Sequence, residues 1–95
     1  MSRNIVATLW RSNGPGRKRE PIWTRHYSWL DTAMPRAVQL AMNDGQVGDV
    51  VEFHSPLIGE LHVATVRVVK PYQVSVSYSD LVESSPKLKA LLRGI

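Results

Sequence analysis

Runs of β-branched and apolar residues, two stripes at helical spacing and several Pro/Gly-rich breaks divide the chain into seven predicted elements. NIVATLW, Asn4 to Trp10, ends against turn-forming residues and predicts a first strand. In IWTRHYSWL the alternation puts Trp23, Arg25, Tyr27 and Trp29 on one face and Ile22, Thr24, His26 and Ser28 on the other, which predicts a second strand. Between them, SNGPG implies an antiparallel hairpin with a long polar tip.

The period then changes. Asp31 or Thr32 offers a side-chain oxygen for an N-cap, with Pro35 expected inside the first turn, where backbone N–H groups lack partners anyway. Met34, Ala37, Val38, Ala41 and Met42 recur at i, i+3, i+4, i+7 and i+8, one apolar stripe for packing on a sheet. Gly45 is expected to end this helix in the left-handed conformation. GDVVEFH, Gly48 to His54, predicts a third strand, followed by a turn in SPLIGE with Pro56 and Gly59. LHVATVRVV, Leu61 to Val69, is the strongest β segment and is expected to be central. QVSVSYS alternates strictly, with Val74, Val76 and Tyr78 expected inward and its serines outward. Ser85 and Pro86 open a short helix with a stripe of Leu88, Leu91 and Leu92, which Gly94 is expected to stop.

The order β-β-α-β-β-β-α predicts one α+β domain over residues 1–95, a largely antiparallel sheet carrying one main helix and a short C-terminal helix on one face. The spacing GDVV…G…ATVRVV resembles the hairpins of small SH3-like barrels, in which a Gly-Asp turn leads into a strand. With 95 residues, a single core is expected. No apolar run approaches the roughly 18 residues that span a bilayer, so no membrane partner is expected. IVATLW is shorter than the core of a secretory leader, and the chain has no cysteine, so a cytoplasmic location is expected.

Charge adds what periodicity cannot. Residues 1–36 hold seven Lys/Arg against Glu20 and Asp31, an excess of five, while residues 37–95 hold five against six acids. The net +4 therefore resides entirely in the N-terminal part, which points to an anionic partner there.

Chemistry is sparse. His26, His54 and His62 form neither an i, i+4 helical pair nor an H-E-x-x-H pattern. Glu52 and His54 share a strand face with His62 near the start of the next strand, and they are read as polar residues on the wet side of a hairpin, not as metal ligands. The chain has no G-x-S-x-G elbow, and GPGRK lacks the spacing of a phosphate loop. Its carboxylates fall mostly at element ends, where capping and solubility account for them. No catalytic residue, metal or cofactor is expected, and the protein reads as a non-enzymatic binding module.

The basic hairpin supplies the candidate site: Arg11, Arg17, Lys18, Arg19 and Arg25, long cations on a Gly/Pro backbone that can approach phosphates, with Trp23 beside them. Trp23, Tyr27 and Trp29 would stack on unpaired bases if their face is exposed, and belong to the core if it is not. The expected partner is nucleic acid, bound with little sequence preference, or an acidic protein surface. The alternative is a protein-protein interaction module, either an assembly subunit or a small accessory or inhibitory protein of the viral, bacteriophage type. Neither reading specifies an oligomeric state.

Overall fold

A computed structural model of the chain describes residues 4–56 and 61–93. The first two strands, β1 (Ile5–Arg11) and β2 (Glu20–Tyr27), form the expected antiparallel hairpin. The main helix α1 (Leu30–Asp44) follows, then β3 (Val50–Ser55), β4 (Leu61–Lys70) and β5 (Gln73–Tyr78), and finally α2 (Asp80–Ser84) and α3 (Pro86–Arg93). The strands make one sheet in the order β2-β1-β3-β4-β5, with every neighbouring pair antiparallel. The α+β class and element order agree with the sequence reading, with α2 as an addition. The sheet is open, ending at β2 and β5, so the likeness of Gly48–Val69 to a barrel hairpin does not extend to a closed barrel.

One face of the sheet is the core. Ile5, Ala7 and Leu9 of β1, Val51 and Phe53 of β3, and Ala64, Val66 and Val68 of β4 are buried there with Leu30, Ala33, Ala37 and Ala41 of α1, Val82 of α2 and Leu92 of α3. The inward face of α1 is thus mostly alanine. The stripe is rotated from the predicted one, because Leu30 and Ala33 join it while Met34 and Val38 lie at its margin. Position two in the alternation faces the other way, so Val6, Thr8, Trp10, Glu52 and His54 line a sheet face that no helix covers.

Several local expectations are corrected. The strand that occupies the middle of the sheet is β3, not β4, because β1 crosses over to pair with β3 and leaves β4 one place off centre. The second strand stops at Tyr27, since Trp29 is the extended N-cap of α1, and its carbonyl accepts the N–H groups of Thr32 and Ala33 at 3.2 and 3.0 Å. No side chain caps that end, and Pro35 is the sixth residue of the helix, past the first turn. Gly45 is extended, at φ −80°, not left-handed. Its need for a missing side chain is steric, because a Cβ there would collide with the Ala41 carbonyl and press on Val68 at 3.0 Å. By contrast, Ser85 caps α3 as expected, its Oγ accepting the Leu88 N–H at 3.3 Å. The predicted turn residue Gly59 and helix stop Gly94 lie outside the described residues.

The unexpected helix α2 has a plain cause. Ser79 Oγ accepts the Val82 N–H at 3.3 Å, an N-cap that the alternation of QVSVSYS conceals by claiming the same serine for the strand.

Candidate nucleic-acid interface

The base of the hairpin is bolted into the fold. Arg11, the last residue of β1, donates from Nε and Nη2 to both carboxylate oxygens of Asp49, at 3.1, 3.3 and 2.9 Å. Asp49 is 2% exposed and also accepts the Gln46 N–H at 2.7 Å. The turn Gln46–Asp49 is closed by Asp49 N–H to Gln46 C=O at 2.9 Å, and Gly48 takes the positive φ, +96°, that its third position requires. Hydrogen bonding to Asp49 raises the Arg11 guanidinium further above its ordinary pKa, against the opposing effect of burial. Arg11 is a structural tie between β1 and the start of β3.

Beyond it the tip is ordered by its own residues. Gly14, Pro15, Gly16 and Arg17 make a type II turn: the Arg17 N–H reaches the Gly14 carbonyl at 3.2 Å, Pro15 sits second, and Gly16 supplies φ +74° in third place. Ser12 Oγ accepts the Gly14 N–H at 3.3 Å, and Asn13 Nδ2 donates to the Lys18 carbonyl at 3.0 Å. Arg17 and Lys18 project from this turn, exposed, with no carboxylate partner among the described residues.

Arg19 does something different. Its Nη2 donates to Glu52 Oε1 at 2.8 Å and its guanidinium carbon lies 4.2 Å from the Trp10 ring centroid, so it lies over the uncovered sheet face. Its hydrogen bond holds the Glu52 carboxyl below the usual range, partly offset by burial. A carboxyl whose folded pKa is lowered contributes stability above its unfolded pKa and loses it as pH falls through the folded value. Because Arg19 is half exposed, the expected contribution at pH 7 is no more than about 1 kcal/mol. The difference in urea stability between the parent and Arg19→Ala should therefore shrink as pH falls from about 5 through the lowered pKa of Glu52. A difference that stays constant with pH would show that Arg19 acts through Trp10 alone.

Along β2 the alternation has the expected phase. Trp23, Arg25 and Tyr27 pair with Leu9, Ala7 and Ile5 on the helix-bearing side. Trp23 and Tyr27 are half-buried against the core and Trp29 is exposed, so Trp23 is chiefly a packing residue. Arg25 and Tyr27 line a cleft of about 540 Å³ whose other wall is α1, with Thr32, Arg36, Gln39, Leu40 and Asn43. Arg25 and Arg36 are exposed there with no carboxylate partner among the described residues. Arg36 is one of the seven N-terminal cations but not one of the site residues that the sequence singles out. Its signal was its place outside the apolar stripe of α1, which aligns it with β2 only once the helix direction is known.

On the uncovered face, the His54 and His62 rings lie 5.5 Å apart, and His62 Nε2 is 2.8 Å from Thr65 Oγ1. No three His, Asp or Glu side chains among the described residues are grouped to hold a metal ion. No helix among the described residues is long and apolar enough to cross a membrane.

These parts define a two-layer α+β domain with one open sheet face and a basic loop, Arg17 to Arg19, leading into its edge strand. Comparison with models of protein families, with curated proteins and with solved structures gives no match.

Proposed function

We propose that the protein is a non-enzymatic nucleic-acid-binding module whose β2 edge tracks a phosphate backbone. The observation that supports this reading is that four of the cations without a carboxylate partner among the described residues lie along one side of the domain. Arg17 and Lys18 stand at the ordered tip, and Arg25 and Arg36 stand in the cleft further along the same edge, while Arg11 and Arg19 are engaged within the fold. The one acid on the strand, Glu20, lies opposite Arg11. Trp23 and Tyr27 pack inward, which favours contacts to phosphates over stacking with bases, and hence little sequence preference.

Salt dependence tests it. Four phosphate contacts release about four counterions, so log K should fall by roughly 3 to 4 per decade of salt. The double variant Arg17→Ala, Lys18→Ala should lower that slope by about 1.5 to 2. Both sites are exposed, so each change should alter stability by no more than about 0.5 kcal/mol. Binding that is flat in salt, or a variant that retains the full slope, would remove the reading. A protein-interaction module is the second reading, and the observation favouring it is at the opposite edge of the sheet.

A further inference from the structure

The two edges of the sheet are built differently. β2 carries Pro21, an irregularity opposite Leu9 and Trp10, and the charges Glu20 and Arg25, devices that discourage pairing with another strand. β5, Gln73–Tyr78, has no proline and no charge, and the residues on either side of it up to Tyr72 and Ser79 are also uncharged. We infer that β5 is the pairing edge of a homodimer, in which β5 of a second copy adds antiparallel to β5 of the first about a two-fold axis at Val76.

Backbone parity decides which groups are available. The Ser79 N–H bonds the Val63 carbonyl at 2.9 Å, and Ser77 and Ser75 pair with Thr65 and Arg67, so these residues turn their amides toward β4. Val74, Val76 and Tyr78 consequently turn theirs outward, away from the sheet. Antiparallel pairing centred on Val76 sets Val76 against Val76 of the second copy and Val74 against Tyr78. On the other face it sets Ser75 against Ser77. Apolar meets apolar on the helix-bearing face, hydroxyl meets hydroxyl on the open face, and no like charge meets its copy.

This self-complementarity about its own centre is what selects a second copy as the occupant, because an isologous contact requires one patch to match itself. The side chains on the helix-bearing face are available for it: Val76 and Tyr78 remain 41% and 40% exposed, although alternation alone would have placed them inside. Leu81 at the start of α2 and Tyr72 in the turn before β5 are exposed apolar residues beyond its two ends. A minimal specific interface needs roughly 500 Å² from each copy, which is less than a tenth of the chain's 6115 Å² surface. The product is a continuous ten-stranded sheet with the two β2 edges at its far ends. Nothing in this depends on what β2 binds.

Light scattering over a range from low micromolar to near-millimolar concentration should show the mass rising from 10.7 kDa toward twice that value. Val76→Pro removes an outward N–H and no bond to β4, so it should stay folded by circular dichroism and weaken dimerisation at least tenfold. Val76→Lys should do the same by placing like charges face to face. If both variants lose the fold, amide exchange in the parent decides. The Val74, Val76 and Tyr78 amides should become protected as concentration rises. A parent that stays monomeric throughout, a folded Val76 variant that dimerises like the parent, or amides whose exchange ignores concentration each overturns the inference.

Discussion

Phe53→Ala is expected to lower the free energy of unfolding by about 3 to 5 kcal/mol, the upper range for truncating a buried aromatic. Phe53 is fully buried and is the largest such side chain, on the middle strand of the sheet. In register it lies between Ala7 of β1 and Ala64 of β4, and the alanines of α1 belong to the same core. Alanine has no rotamer with which to fill a vacated space, so the cavity closes only if a helix or strand moves as a body. That is why the cost should sit at the upper end. A domain of this size has a total stability of about 5 to 14 kcal/mol, so the variant should be marginal. Urea unfolding should show a midpoint lower by about 2 M at unchanged slope. A loss under about 1 kcal/mol would mean that α1 settles onto the sheet with little resistance.

Arg11→Ala is expected to cost about 2 to 4 kcal/mol, more than its surface position suggests. The loss comes from the partner. Without the guanidinium, the carboxylate of Asp49, 2% exposed in the folded protein, keeps only the Gln46 N–H as a partner. Asp49→Ala should cost less, because Arg11 is about a quarter exposed and can return to water. The double variant should cost clearly less than the two single changes together, a coupling of at least about 1 kcal/mol for groups in direct contact. Additive losses would show that the two side chains stabilise the domain independently. The result also separates Arg11 from Arg17 and Lys18, whose removal should leave the midpoint nearly unchanged.

The fold was largely legible because its strands announce themselves through alternation, and Ser85–Pro86 states the start of α3 outright. What escaped depends on how elements meet. Ala37 and Ala41 are legible as members of a helical stripe, but the stripe does not say that the buried face, with Ala33 added, is built of side chains small enough to permit close approach of α1 to the sheet. Gly45 carries the composition of a left-handed cap, but the carbonyl of Ala41 and the side chain of Val68 are what exclude a Cβ there. The candidate site was less legible still. Arg11, Arg17, Lys18 and Arg19 are equivalent in sequence as cations of one loop, and only the positions of Asp49 and Glu52, more than thirty residues away in β3 and just before it, distinguish the engaged pair from the exposed pair. No local pattern encodes such partners. Arg36 joins Arg25 for the same kind of reason, since the crossing of α1 over β2 is a tertiary fact.

The position of β1 between β2 and β3 also governs the order in which the chain can acquire structure during synthesis. β1 and β2 leave the ribosome before β3, but a lone hairpin is at best marginally stable in water. The strand that completes β1, β3, ends at Ser55, and at 5 to 20 residues per second it follows Tyr27 by roughly 1 to 6 s. Throughout that interval β1, the most apolar of the early segments, has no partner on its inner side. The cations of the tip and Pro21 flank this waiting hairpin, the kind of residues that disfavour pairing with strands of other chains until the middle strand arrives.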